Sequence, residues 1–214
     1  MREVEFEGLK IRWLGHAAFR LEAMGTTVYV DPYQIRESPR DGDIVVCTHD
    51  HYDHCSIGDI RRVIKEDGVI VAASNCSAKL ARLRNEKIFL RPGDRVEVKG
   101  VVVRAVPAYN IAKPFHPRSY EGIGVVVELG GVRVYHAGDT DLIPEMNELR
   151  GNVDVALLPV SGVYVMDARE AVEAAKRIGP RLAIPMHYGS IVGSERDARA
   201  FENGLRGVCR VEIL

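Results

Sequence analysis

Thr48-His49-Asp50-His51-Tyr52-Asp53-His54 packs three histidines and two aspartates into seven residues. Imidazoles and carboxylates are the donors that a divalent transition metal takes, and few other demands account for such density. Upstream, Asp43-Ile44-Val45-Val46-Cys47 is an apolar run that reads as a buried strand. Downstream, Ser56-Ile57-Gly58-Asp59 has the form of a capping box that opens a helix. The cluster is therefore expected on a strand-to-helix loop, where a rigid scaffold carries reactive groups. His49 and His51, two apart, point the same way along an extended chain. Asp53 and His54 follow as the chain turns and face a second point nearby. One loop can thus serve two metals.

Working outward, the 214 residues suffice for a substantial core, and 1–214 reads as a single domain. No apolar run approaches the ~18 residues of a membrane span. The opening Met1-Arg2-Glu3-Val4-Glu5-Phe6-Glu7 has no segment of signal-peptide type, so a cytoplasmic protein without membrane contact is expected. A net charge of −1 with no long basic block argues against a nucleic-acid partner. Cys47, Cys55, Cys76 and Cys209 lack C-x-x-C spacing and read as structural thiols.

Strands are expected at 11–14, 18–21, 27–30, 43–48 and 69–72, with Met24-Gly25-Thr26 as a hairpin turn. Helices are expected at 57–66 and 75–85, the second from the spacing of Leu80 and Leu83. Further strands read at 87–90, 95–99, 101–106, 123–129 and 132–136. Residues 107–122 hold three prolines and no period, which suits an ordered active-site loop. A helix follows Asp139-Thr140-Asp141, then a strand at 153–158, a helix from Asp167 to about 178 ended by Gly179-Pro180, and a short strand ending before His187. Ser194 caps another helix, and 208–213 closes as a strand. No internal repeat is evident. Strands first, then mixed α and β, indicate an α+β fold of two packed sheets with helices outside.

Taken in order, these segments resemble the metallo-β-lactamase superfamily of metal-dependent hydrolases, whose signature is H-x-H-x-D-H. Within it the chain is similar to the lactonase-like branch that includes ascorbate-6-phosphate lactonases. The resemblance rests on Trp13-Leu14-Gly15-His16, Val30-Asp31-Pro32, the histidine cluster, Ala137-Gly138-Asp139-Thr140 and Pro185-Met186-His187-Tyr188. Gly-Asp-Thr alone is a weak signal; the ordered set is strong. The resemblance implies a four-layer αββα sandwich with its metal site at the edge between the two sheets. It implies two divalent metal ions, zinc first, with manganese or iron as alternatives.

Carried over by position, the pattern assigns His49 and His51 to the first metal, and Asp53, His54 and His187 to the second. Asp139 is the bridging carboxylate. The first metal's third ligand is open between His116, favoured as the only histidine in the expected interval, and Asn110. Asp31 is expected to orient the cluster loop, and His136 to be structural or to support a ligand. His16 reads as near the pocket or as an ordinary buried histidine, and Tyr188 as a substrate contact. The implied reaction is attack by a metal-bridging hydroxide on an ester, lactone or phosphoester of a small molecule, with Asp53 also accepting the proton. Lys113, Arg118, Ser119 and Tyr120 could hold an anionic group of that substrate, although a solvated polar loop is their plainer reading.

Three alternatives stand beside this one. A phosphodiesterase or nuclease would share the site but usually carries an added domain or basic exosite. A diiron redox protein would replace His51 with glutamate. A non-catalytic metal-binding regulator would usually lose ligands. The short chain leaves the mouth of the site open, so a homo-oligomer that shapes it is a further expectation.

Overall fold

A computed structural model describes residues 2–214. The first sheet contains, in spatial order, β1 (Glu3–Phe6), β2 (Leu9–Gly15), β3 (Ala18–Ala23), β4 (Thr26–Val30), β5 (Gly42–Cys47), β6 (Ile64–Ala73) and β7 (Glu86–Leu90). The second contains β8 (Arg95–Val98), β9 (Val101–Pro107), β10 (Ile123–Leu129), β11 (Val132–His136), β12 (Val155–Pro159), β13 (Leu182–Met186) and β14 (Arg210–Val211), also in chain order. Each sheet is antiparallel through its first four strands and parallel through its last four. The two halves share one plan even though no repeat is visible in the residues.

Burial explains the layering. In β2, Leu9, Ile11 and Trp13 are buried while Lys10 and Arg12 face water, the period of a strand covered on one side. Strands β12 and β13 are buried at every residue, as strands covered on both faces must be. The cover on one face is the other sheet. On the other face lie α3 (Ala168–Ile178), packed on β12, and α4 (Glu195–Gly204), packed on β13 and α3. Helix α3 starts at a capping box between Asp167 and Glu170 and stops at Gly179, whose φ of 70° gives the left-handed cap. Its buried face is Ala171, Ala174, Ala175 and Ile178, small enough for close approach. On the first sheet, α1 (Ile57–Val63) buries Ile60 and Val63. One hydrophobic cluster runs through both sheets. The architecture is the expected pair of mixed sheets with helices outside.

Several elements differ from the sequence reading. Strand β1 was not expected; it alternates exposed glutamates with buried Val4 and Phe6 and pairs along β2. Helix α1 ends at Val63, and β6 starts at once. The helix expected over 75–85 is a 3₁₀ turn and a single α-turn, α2 (Ser77–Leu80). Asn85 ends it by donating to the carbonyls of Lys65, Glu66 and Gly68, which draws the chain back to the sheet. After Asp141 the chain forms a 3₁₀ segment, Pro144–Leu149, in place of an α-helix. The closing strand is only Arg210–Val211. Among the described residues no helix is long and apolar enough to cross a membrane.

Candidate metal centre

Strand direction assembles the site. Strands β2, β4 and β5 in one sheet, and β9, β11, β12 and β13 in the other, all run toward the same edge. Their carboxyl ends deliver His16, Asp31, the 48–54 loop, the 107–122 loop, Asp139, Ser161 and His187 to one place, where ligands of such sheets bind. Backbone bonds lock the two sheets together there. Ile123 N donates to Thr48 O at 3.0 Å, and His187 N to His16 O at 2.9 Å. His136 bonds Ala17 O through Nε2 at 2.8 Å and accepts from Gly138 N through Nδ1, so it is a structural brace of the turn before Asp139.

Four of the inward imidazoles are anchored by their outer nitrogen, Nδ1. His54 Nδ1 donates to Asp31 Oδ2 at 2.8 Å. His49 Nδ1 donates to Thr48 Oγ1 at 3.1 Å, and that hydroxyl donates onward to Asp31 at 2.7 Å. His187 Nδ1 lies 3.1 Å from Ser161 Oγ, and His116 Nδ1 lies 3.0 Å from Asn110 Oδ1. The bond at Nδ1 orients each ring and turns Nε2 inward, the arrangement that supports metal-ligating histidines.

The inward atoms form two groups. His51 Nδ1 is 3.1 Å from His49 Nε2 and 3.2 Å from His116 Nε2. In the second group His54 Nε2 is 3.5 Å from Asp53 Oδ2. Asp139 lies between them, its oxygens 3.3 Å from His54 Nε2, 3.5 Å from His116 Nε2 and 3.3 Å from His187 Nε2. Donors about 2.0–2.1 Å from a tetrahedral ion are roughly 3.3–3.4 Å from one another, so these separations suit a metal. His54 Nε2, His187 Nε2 and Asp139 Oδ1 are buried and have no hydrogen-bond partner. Orphaned polar atoms of this kind are costly unless a cation satisfies them.

This geometry has counterparts. Residues 10–187 match the family model of the β-lactamase superfamily domain. A UPF0173 metal-dependent hydrolase of Methanosphaerula palustris is 34% identical, covering 96% of this chain and 95% of its own. The chain belongs to the metallo-β-lactamase superfamily. Within it, the chain is a metal-dependent hydrolase of the UPF0173 family. A structure from Parabacteroides distasonis, described as a metal-dependent hydrolase, superposes with a TM-score of 0.83 at 30% identity over 99% of this chain and 96% of the other. Igni18, a metallo hydrolase from Ignicoccus hospitalis, gives 0.79 at 25% over 96% and 94%.

Against the superfamily pattern, the structure separates the roles of Asn110 and His116. His116 turns Nε2 inward, whereas Asn110 spends its amide elsewhere. Its Nδ2 donates to Asp141 and to Tyr164 O, and its Oδ1 accepts from His116 N and Nδ1. Asn110→Ala is therefore expected to weaken metal binding at the donor group that contains His116 by about 10–100-fold, the usual cost of losing an outer-shell partner. Competitive titration with a chromophoric chelator would show the weakened binding.

His16 places Nε2 2.9 Å from Asp53 Oδ2 and so orients that carboxylate. Tyr188 stacks on Trp13 and lines a neighbouring cleft, so it does not face the pocket over the cluster. The anion-binding role considered for the long loop is also redirected. Lys113 is tied to Asp141 and Val165 O, Arg118 to Glu145, and Tyr120 to Asp50. Sequence reasoning missed Asp141 as the staple of this loop; it also accepts from Ile111 N at 2.8 Å. The Gly-Asp-Thr-Asp run held that signal, read there only as a helix start. The pocket over the cluster, about 250 Å³, is walled by Tyr52, Phe115, Tyr164 and Ile191. None of the four cysteines is among the converging donors.

Charges within the cluster are strongly coupled. Burial raises the Asp53 and Asp139 carboxyls, but imidazoles outweigh it: His16 and His54 hold Asp53, and His187 and His54 hold Asp139, well below the usual carboxylate range. Burial lowers His54, and Asp139 and Asp31 outweigh that, so His54 keeps its proton well above the ordinary imidazole value. Burial holds His49 neutral, far below that value. A cation at His54 must displace its proton. Because the His54 pKa is raised, the proton is held throughout the acidic range and leaves only as pH rises through that raised value. Metal affinity should therefore fall by about tenfold per pH unit on acidification for one displaced proton. Calorimetry in buffers of differing ionisation enthalpy should register that proton; pH-independent affinity would contradict the assignment.

Proposed function

We propose that this metal-dependent hydrolase is binuclear, with His49, His51 and His116 around one divalent cation and Asp53, His54 and His187 around the other, Asp139 lying between. The observation that carries the reading is the convergence of His54 Nε2, His187 Nε2 and Asp139 Oδ1, buried and unpartnered, between two donor groups. Zinc suits this donor set, and manganese or iron can also occupy it. When bound, the cations supply a water that is nucleophilic near neutral pH and polarise the oxygen of the bond under attack.

The chain's own groups do the rest. Asp53, kept ionised and aimed by His16, would accept a hydrogen bond from the attacking water and so orient it. Asp139 supplies negative charge that would offset the cations held by both donor groups. The anchored imidazoles keep the donors in place, so little reorganisation is needed as charge develops. Tyr52, Phe115, Tyr164 and Ile191 would hold an apolar portion of a small ester, lactone or phosphoester beside the reacting bond. An aromatic-walled pocket of about 250 Å³ fits such a substrate better than a nucleic-acid strand.

Metal-stripped protein, reloaded with zinc, manganese or iron, should be assayed on 4-nitrophenyl esters, lactones and bis(4-nitrophenyl) phosphate. Turnover that returns with metal supports the reading. Turnover that survives stripping contradicts it, and tight metal binding with no turnover on any class favours a regulatory protein.

A further inference from the structure

On the other side of His16 lies a second, larger cleft of about 1020 Å³. Its floor is Trp13 stacked on Tyr188, with ring centroids 4.8 Å apart. Arg2, Arg12, Arg36 and Arg62 line it, against two acids, Glu37 and Asp59. Asp59 is already engaged, accepting from Gln34 N, Ile35 N and the Ser56 hydroxyl. Arg62 is partly engaged, donating to Ile35 O. The Arg2 guanidinium sits 5.1 Å above the Trp13 ring. Arg12 meets Glu3 at 3.9 Å, and the Arg36 side chain is exposed at the cleft. The cleft thus combines an excess of positive charge and unclaimed planar donors beside the buried Trp13–Tyr188 stack. Guanidinium forks match carboxylate and phosphate oxygens in charge and geometry.

The cleft and the metal-side pocket share a wall. His16 lines the cleft and reaches through to Asp53. Tyr33 of the cleft meets Tyr52 of the pocket edge-on, with centroids 5.9 Å apart. His187 faces the pocket and the next residue, Tyr188, faces the cleft. We propose that the cleft binds the anionic end, a carboxylate or a phosphate monoester, of the substrate whose scissile bond lies over the metal centre. This rests on the hydrolytic reading above and deepens it by naming a charged substrate class. It also moves anion recognition from the 107–122 loop to the opposite side of the site.

Trp13 is the chain's single tryptophan, so its fluorescence reports on the cleft without labelling. Metal-loaded wild type and the Arg12→Gln/Arg36→Gln variant should be titrated with inorganic phosphate and with glutarate, by fluorescence and in parallel by calorimetry. Both arginines are solvent-exposed, and the variant should keep its fold and metal content. The expected result is saturable binding of at least one anion to wild type, with a dissociation constant at least tenfold higher in the variant. The tighter anion distinguishes a carboxylate-ended from a phosphate-ended substrate. No saturable binding, or equal binding in both proteins, overturns the proposal, since an anion held at the metals alone would ignore the arginines. Metal content and turnover of a neutral ester, read on the same samples, report separately on the hydrolytic reading.

Discussion

Asp139→Asn is expected to strip the centre of at least one cation and to lower metal-dependent turnover by about 10³-fold or more. Asp139 faces His54, His116 and His187 from between the two donor groups. The amide keeps the shape but removes the negative charge that offsets the cations, and it turns one acceptor into a donor aimed at imidazole nitrogens. Metal-ion catalysis supplies several kcal/mol, and each ~1.4 kcal/mol is tenfold in rate. A second consequence is visible without metal. Asp139 is the strongest influence holding the His54 proton, so the His54 pKa should drop in the variant. NMR titration of the imidazole reads that shift, and elemental analysis reads the metal. Full metal content with near-normal turnover would remove Asp139 from the centre.

Asp31→Ala should cost stability as well as metal. Asp31 is fully buried and accepts three hydrogen bonds, from Thr48 N at 2.8 Å, Thr48 Oγ1 at 2.7 Å and His54 Nδ1 at 2.8 Å. Through Thr48 it also governs His49, so one carboxylate aims an imidazole in each donor group. Its removal leaves a charged His54 without its buried partner, a change worth about 3–5 kcal/mol. Alanine is also strained at the φ of 46° found here, which aspartate tolerates better. Chemical denaturation of the metal-free variant should show this loss, and metal affinity should fall by about 10–100-fold. Asp31→Asn, which retains an acceptor and the turn, should be milder on both counts. A variant as stable as wild type would show that the loop is held by other contacts.

What could be read before folding was the part whose physics is local. Apolar runs such as Ile44–Cys47 and Val155–Leu158 have one home, a buried strand, and the structure puts them there. The Asp167 capping box and Gly179 bound α3 through bonds within a few residues. The 48–54 loop declares its chemistry by residue type alone. The misses are where distant residues decide. Strand β1 offers only Val4 and Phe6 to the core and depends on pairing with β2. The expected helix at 75–85 is cut short by Asn85, which bonds carbonyls some twenty residues upstream. Which of Asn110 and His116 turns a nitrogen toward the cluster depends on which side chain the fold already occupies; Asp141 and Tyr164 O claim the Asn110 amide. The common plan of the two sheets lives in hydrogen-bond register, which many sequences satisfy. The arginine cleft gathers positions 2, 12, 36 and 62, and no local pattern announces that meeting.

The most direct test of the account is the metal content per chain of gently purified protein, by elemental analysis, in wild type and in His116→Ala. Two equivalents in wild type, with one lost in His116→Ala and the protein still folded, is the result this geometry predicts. One equivalent or none in wild type, unchanged by His116→Ala, would contradict the binuclear centre and the hydrolytic chemistry built on it.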